Sequence, residues 1–501
     1  MVLNKSEKYI IALDQGTTSS RAILFDSKCN KVYSSQREFK QIYPKPGWVE
    51  HNPMDIWESQ IRSLIDLIKK SGIDIGSIES IGITNQRETV ILWEKNTGKP
   101  VYNAIVWQCR RTADMCKKLE EENYTELIRE KTGLLIDAYF SSTKIKWILD
   151  NVPGLKKRAL NGEICIGTVD SWLIWNLTGG KNHVTDYSNA SRTMLFNINT
   201  LEWDDELLSL FDIPKIALPK VKFSSDLFGI LDKKILGREI PITSAIGDQQ
   251  AALFGQACFE PGMAKCTYGT GCFILMNNGT KIQKLKNKML YTIAWGLDGK
   301  IEYALEGSIF IGGAAIQWLR DGLQIIKTAR ECDELAERVP DSNGVYFVPA
   351  FVGIGAPYWD SSARGAILGL TRGVTKEHIA MATLQAIAFQ VRDVLDAMQQ
   401  SISYKLKTLR VDGGASVSDI LLQFQSDILR VDVSRPKIIE TTALGCAMLA
   451  GLRIGLWQDK KEIVKSWTTD KIFSPVKDNS VSEQLYKKWK DAVSRTLNWV
   501  D

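Results

Sequence analysis

Two short polar runs in this sequence combine Gly, Thr and small polar residues in a way that suits phosphate chemistry. They are Asp14-Gln15-Gly16-Thr17-Thr18-Ser19-Ser20 and Thr267-Tyr268-Gly269-Thr270-Gly271-Cys272. A Gly-Thr turn at the end of a buried strand offers backbone N–H groups and hydroxyls to an anion. Asp14 stands where the first strand ends, so a bound phosphate would lie beside a carboxylate. Those charges repel unless a divalent cation mediates, and Mg²⁺ is the usual one. For either run alone, an ordinary hairpin with an Asx-type turn is the alternative. Two such runs, one in each half of the chain, favour the phosphate reading.

Three further segments carry residue types that could act on a hydroxylated substrate. Asp248 directly precedes an apolar helical pattern in Gly247-Asp248-Gln249-Gln250-Ala251-Ala252-Leu253. It would serve either as an N-cap or as a general base facing a cleft. Asn85-Gln86-Arg87-Glu88 follows a strand, and adjacent Arg and Glu can donate to and accept from the hydroxyls of a polyol; a surface ion pair is the alternative. Trp107, before the polar run Gln108 to Arg111, is either a core residue or an apolar wall for a substrate's carbons. Gly413-Gly414 permits close backbone approach by a nucleotide, or forms a tight turn between strand and helix.

The elements that must position these residues alternate in type. Tyr9 to Leu13 and Arg21 to Asp26 flank the first polar run as strands, and Ala264 to Met276 repeats the plan of strand, Gly-Thr tip and strand. Gly16 and Gly269 are 253 positions apart, as are Thr17 and Thr270, about half of the 501 residues. This spacing points to a duplicated architecture with one hairpin per half. Ile78 to Thr84, Thr89 to Trp93 and Leu409 to Asp412 read as further strands. Asp55 to Lys70 and Glu377 to Gln399 carry apolar residues at helical spacing, and a third helix starts at Asp419. The alternation gives an α/β class, divided into residues 1–254 and 255–501 at a compact hinge near Gly255.

Composition and missing motifs remove other function classes. The chain is 44% hydrophobic and 24% charged, with a net charge of +5, which excludes a disordered chain and leaves no basic surface for nucleic acid. The longest strongly apolar stretch, Val345 to Trp359, is broken by Pro349, Gly353, Gly355 and Pro357, so no membrane span is expected. Nine Cys without a C-x-x-C pair, and three His without H-E-x-x-H spacing, argue against a zinc ribbon or a zincin. The apolar run Tyr9 to Leu13 is too short for a signal sequence, and a reduced, cytoplasmic protein is expected. The P-loop pattern, a complete G-x-G-x-x-G at Gly353/Gly355 and the protein-kinase signatures are all absent.

Taken in order, ALDQGTTSSRAILFD, GITNQRETVILWEKNTGKP, VWQCRRTAD, GDQQAALFGQ, TYGTGCF, GAPYWDSSARGAILGLTRG and LRVDGGAS resemble the FGGY family of carbohydrate kinases, from about Tyr9 to Trp457. The resemblance implies two actin-like (RNase-H-like) domains with a catalytic cleft between them. It implies ATP-dependent phosphorylation of glycerol, with Mg²⁺ and ATP/ADP as cofactors and a homo-oligomer as the assembly. By motif, Arg87, Glu88, Tyr139, Asp248 and Gln249 would contact glycerol, with Trp107 and Phe273 against its carbons. Thr17, Thr18, Ser19, Arg21 and Thr270 would contact phosphate, and Gly313, Gln317, Gly414 and Ser418 fall at the remaining nucleotide positions. Asp14 would hold Mg²⁺ and Asp248 would be the catalytic base. Ser418 stands where the family commonly has Asn. Asp232 to Arg238 replaces the Gly-rich loop that binds fructose 1,6-bisphosphate in some bacterial members, so weak or no inhibition by that compound is expected. The competing classes are an actin- or Hsp70-like switching ATPase, a kinase of another sugar, and a catalytically silent relative.

Overall fold

The first apolar run becomes strand β1 (Tyr9–Gln15), all seven of whose residues are buried. It turns at Gly16 and returns antiparallel as β2 (Ser19–Asp26), which pairs with β3 (Lys31–Glu38). These elements belong to a computed structural model that describes residues 7–283 and 288–500. On the other edge of β1 lie β4 (Ile78–Asn85), then β6 (Pro241–Gly247), then β5 (Ser225–Ile230). The β1–β4 and β4–β6 pairings are parallel and the β5–β6 pairing is antiparallel.

The second sheet repeats this plan. Strands β7 (Met263–Tyr268) and β8 (Cys272–Gly279) form the antiparallel hairpin around Gly269-Thr270-Gly271. Beyond them on one side lie β9 (Leu290–Leu297) and β10 (Lys300–Ile309), in the order β9-β10-β8. On the other side, β7 pairs parallel with β11 (Thr408–Asp412) and β11 parallel with β12 (Val433–Pro436). Strand β12 then pairs antiparallel with β13 (Thr469–Phe473). In both sheets a Gly-Thr hairpin is followed by two parallel strands and a closing antiparallel one. The duplication inferred from the 253-residue spacing is therefore present in strand order and direction.

Local sequence explains the helices. In α1 (Pro53–Ser71) the Asn52 side chain accepts from the Met54 N–H, Pro53 occupies the first position, and Gly72 at φ 67° ends the helix. Its face of Ile56, Leu64 and Leu67 packs into a core with Ile11, Leu13, Leu24, Ile81 and Trp93. Helix α2 (Ser141–Asn151), helix α3 (Asp248–Gly255), helix α4 (Gly313–Asp321) and the 26-residue α5 (Lys376–Ser401) follow. The chain continues with α6 (Asp419–Leu429), α7 (Thr441–Arg453) and α8 (Asn479–Ser494).

The chain divides into two units, and neither is a continuous segment. The first holds residues through Ala257 together with Tyr291–Ala304 and Glu440–Trp467; the second holds Cys258–Leu290, Leu305–Ile439 and the residues from Thr468 on. A single cut at Gly255 would assign α7 to the second half, yet α7 packs on β1, β4, β6 and α3. Gly255 is the last residue of α3, and a Cβ there would lie 2.0 Å from the Thr441 carbonyl oxygen. A Cβ on Gly445 would lie 1.9 Å from the Ala251 carbonyl oxygen, so α3 and α7 meet backbone to backbone.

Candidate active site

In the first unit, the tip after β4 carries Arg87 and Glu88, both buried at 3% and 1% exposure, so the pair is not a surface ion pair. Glu88 sits in the left-handed region at φ 61°, and its carbonyl accepts from the Ser141 hydroxyl at the start of α2, 3.1 Å away. A non-glycine residue in that region is strained and is held there by its surroundings. Gln86 fixes the tip to the first hairpin: its N–H donates to the Gln15 carbonyl at 2.7 Å and its side chain to the Gly16 carbonyl at 3.1 Å.

Arg87 organises the cluster. Its Nη2 donates to the Tyr139 hydroxyl at 3.2 Å and its Nη1 to Gln250 Oε1 at 3.1 Å. Its Nε lies 3.4 Å from Asp248 Oδ1 and 3.8 Å from Glu88 Oε1. Gly247 makes room for this side chain, since a Cβ there would lie 2.8 Å from Arg87 Cγ and Cδ. Gly247, extended at φ −61° and ψ 146°, is the N-cap of α3, and Asp248 is the first helical residue. The N-cap reading of Asp248 therefore fails. Its Oδ1 instead accepts the Gln249 N–H at 2.7 Å, and 29% of its side chain remains exposed. Gln249 follows on the same turn.

Tyr139 rides on a turn fixed by Lys144, whose buried ammonium donates to the carbonyls of Ala138, Tyr139 and Phe140 at 3.0, 2.6 and 2.6 Å. Burial depresses this amine to about 7. Trp107 is half-buried, meets Tyr139 edge to face at 5.7 Å, and donates its indole N–H to Thr17 Oγ1 at 3.0 Å. Trp107 and the first Gly-Thr turn are thus joined by one hydrogen bond. Beneath them, Asp186 accepts from the N–H groups of Ser188 and Asn189 and from Ser224 Oγ. Ser188 Oγ in turn accepts from the Gly247 N–H at 2.9 Å.

The first hairpin places Asp14 opposite Arg21 in register. Arg21 donates through Nη2 to Asp14 Oδ2 at 2.5 Å and through Nη1 to Glu440 Oε2 at 2.7 Å. Burial raises the Asp14 carboxyl above its ordinary range while the Arg21 guanidinium pulls it back down. Thr18 is exposed at the tip, and Ser19 Oγ accepts from Gln36. Among the described residues no group of three or more His, Cys, Asp or Glu gathers as a metal cage.

The second unit holds the remaining predicted residues. Thr270 is exposed at the tip of its hairpin, and Phe273 is half-buried on β8. The Thr270 carbonyl accepts from the N–H groups of Gly312 and Ala314, and the Gly269 carbonyl from that of Gly313, which docks the start of α4 on the hairpin. A Cβ on Gly313 would lie 2.7 Å from the Gly269 carbonyl oxygen, and one on Gly413 would lie 2.5 Å from that of Tyr268. Gly414, by contrast, faces open space. Gln317 is exposed on α4. Ser418 is buried as the N-cap of α6, accepting the Leu421 N–H at 3.1 Å and donating to Asp333 Oδ1. The hairpin thus gathers Thr270, Gly313 and the Gly413-Gly414 turn, whereas Ser418 is occupied by a structural role.

Sequence reasoning passed over Arg192, Gln250, Lys144 and Glu440. Glu440 is 419 positions from Arg21 and carries no local signal. Arg192 was detectable as a lone charge in the small polar run Ser188-Asn189-Ala190-Ser191-Arg192-Thr193.

Comparison with known proteins places the chain among carbohydrate kinases. A glycerol kinase 2 of Thermotoga maritima is 63% identical over 492 residues, covering 98% of this chain and 99% of its own length. A glycerol kinase of Caldanaerobacter subterraneus is 62% identical over 494 residues, covering 99% of each. Among solved structures, Plasmodium falciparum glycerol kinase with ADP aligns at TM-score 0.93 and 38% identity, covering 98% of both chains. A ligand-bound xylulose kinase of Lactobacillus acidophilus aligns at TM-score 0.89 and 25% identity, covering 97% of this chain and 98% of that one. The N-terminal domain of the FGGY family of carbohydrate kinases matches residues 9–255 and its C-terminal domain residues 264–454, and this chain belongs to that family.

Proposed function

We propose that this chain transfers the γ-phosphoryl group of ATP to a terminal hydroxyl of glycerol, giving sn-glycerol 3-phosphate and ADP. The observation that carries the reading is the set of Glu88, Tyr139 and Asp248 around the buried Arg87 guanidinium, in a chain 62–63% identical to proteins named glycerol kinase. A three-carbon polyol offers several hydroxyls, each needing both a donor and an acceptor. Arg87 and Tyr139 supply donors, Glu88 and Asp248 supply acceptors, and Gln249 supplies either. Trp107 and Phe273 would pack against the carbons.

Asp248 takes the proton of the attacking hydroxyl as its oxygen forms a bond to the γ-phosphorus. The bond from that phosphorus to the β–γ bridging oxygen breaks in line, and ADP leaves with the electron pair. The Gly-Thr turns of the two hairpins each offer N–H groups and hydroxyls to phosphate oxygens, with Thr17, Thr18, Ser19 and Arg21 in the first and Thr270 in the second. Gly414, with open space where a Cβ would stand, and Gly313, at the start of α4 docked on the second hairpin, would border the nucleotide.

Asp14 fits Mg²⁺. A single buried carboxylate beside the phosphate turn suits an ion that keeps its waters and leans on substrate phosphates, rather than one that needs an all-protein cage. When bound, Mg²⁺ would offset charge on the β- and γ-phosphates, with Asp14 as the residue that holds it.

A coupled assay with ATP and, in turn, glycerol, xylulose, gluconate and ribulose tests the reading. ADP release should depend on glycerol, and product analysis should find glycerol 3-phosphate. Phosphorylation of a pentulose with no glycerol phosphate would overturn the substrate and leave family membership intact.

A further inference from the structure

Behind Glu88 lies a second arginine that contacts two of the hydroxyl-reading residues at once. The Arg192 side chain has 0% exposure and its Nε donates to Glu88 Oε1 at 2.6 Å. Its guanidinium carbon stands 5.6 Å from the Tyr139 ring centroid and 5.2 Å from that of Phe140. Arg87 closes the circuit from the other side, with Nε 3.8 Å from the same Oε1 and Nη2 on the Tyr139 hydroxyl. Two guanidinium groups therefore converge on one carboxylate oxygen. Among the described residues, no hydrogen bond engages the other oxygen, Oε2.

We propose that Arg192 is a specificity-determining positioning residue. It anchors Glu88 Oε1 and the Tyr139 ring so that Oε2 is a fixed acceptor for one hydroxyl of the polyol. This rests on the reading that Glu88 contacts glycerol. A hydroxyl placed at Oε2 satisfies a buried acceptor. A substrate lacking that hydroxyl leaves it unsatisfied, and a site built this way rejects such analogues strongly. Were the carboxylate free to rotate, it could turn away and discrimination would fall. The φ of 61° at Glu88 fixes the backbone, but the side-chain torsions still need an anchor. Arg192 supplies one through a charge-assisted bond, on a ring stack that sets its own direction.

The test uses the full-length chain with Arg192→Met, Arg192→Lys and Glu88→Gln, each checked by thermal melting. Glycerol, 1,2-propanediol and 1,3-propanediol are compared as acceptors. In Arg192→Met, the glycerol KM should rise roughly 10- to 100-fold with kcat and the ATP KM within a few-fold of wild type. The kcat/KM preference for glycerol over the propanediol that lacks the hydroxyl read by Glu88 should fall at least about tenfold. Arg192→Lys, which keeps the charge and loses the planar fork, should fall between the two. Unchanged glycerol KM and unchanged preference, with only a lower melting temperature, would make Arg192 a structural residue and overturn the proposal. If Arg192→Met does not fold, Arg192→Lys decides by the same two readouts. Glu88→Gln separates the premises. An unchanged glycerol KM there refutes the Glu88 contact, and wild-type turnover independent of glycerol refutes the functional reading itself.

Discussion

Asp248 and Asp393 are acids with opposite relations to solvent, and each has a measurable consequence. Replacing Asp248 by Asn keeps the size of the side chain and an oxygen for Arg87 and the Gln249 N–H, but removes the proposed proton acceptor. The kcat should fall roughly 10²–10⁴-fold, with ADP binding by calorimetry unchanged; wild-type turnover would leave Asp248 only its place at the start of α3. Asp393 on α5 is buried where Tyr486 Oη and Trp489 Nε1 of α8 donate to it at 2.6 and 2.8 Å, and burial pushes its carboxyl up to about 7. In the fold it keeps its proton up to that value, but on unfolding it releases it near the ordinary 3.8. Unfolding therefore releases a proton in between, and this group's contribution to stability declines as pH rises from about 4 to about 7. Asp393→Asn should remove that slope, so that the stability of wild type relative to the variant falls by roughly 2–4 kcal/mol across the window in denaturant titrations. Parallel pH curves would refute it.

At the scale of elements, function depends on how closely α3 and α7 approach. Gly445 and Gly255 let the two helices touch through their backbones, and α3 begins with the Asp248 turn. Gly445→Ala would force a Cβ to within 1.9 Å of the Ala251 carbonyl oxygen, so the helices must part. Overpacking of this kind costs about 1–3 kcal/mol or more, and the shift of α3 should also lower kcat. A variant that melts and turns over like wild type would show that the crossing tolerates a methyl group. The segment 232–238 is another element whose sequence sets its chemistry. It forms a capped helical turn, with Asp232 accepting the Lys234 N–H at 2.9 Å, Gly237 at φ 77°, and Arg238 bound to the Ile75 carbonyl at 2.6 Å. Ile235 and Leu236 pack toward the core, so the turn does not display a run of bare N–H groups to an anion. Fructose 1,6-bisphosphate should therefore inhibit weakly or not at all, and strong saturable inhibition in a titration at physiological ionic strength would contradict this.

For the molecule as a whole, the nine cysteines report on the integrity of both units together. All nine are buried, and none is in a disulfide. Burial pushes the Cys29, Cys116, Cys258 and Cys332 thiols up to about 12 and Cys165 to about 11. Because the thiolate is the reactive form, a thiol reagent at pH 8 should label fewer than one cysteine per native chain and nine after denaturation. Rapid labelling of several thiols in the native protein would mean that part of the fold opens under native conditions.

The sequence by itself determined the features that local chemistry fixes. Asn52, Pro53 and Gly72 mark the ends of α1 to within two residues of the helix expected from its apolar spacing, because caps and periodicity act over a single turn. The two Gly-Thr hairpins were legible because strand, turn and strand are contiguous, and their equal spacing announced the repeated strand order. The motif residues Arg87, Glu88, Tyr139 and Asp248 were named from the chain alone, and in the fold they surround one guanidinium. Only the tertiary structure decided which partners hold them. Arg192 reaches Glu88 across 104 positions and Glu440 reaches Arg21 across 419, and α7 joins the first unit although it lies far along the chain. Such pairings depend on sheet register and helix crossing, which bring distant residues together without leaving a periodic trace near either one. Ser418 and Gly255 show the converse: the structure gives one to a helix cap and the other to a helix crossing, because the packing around each consumed the freedom its sequence had left open.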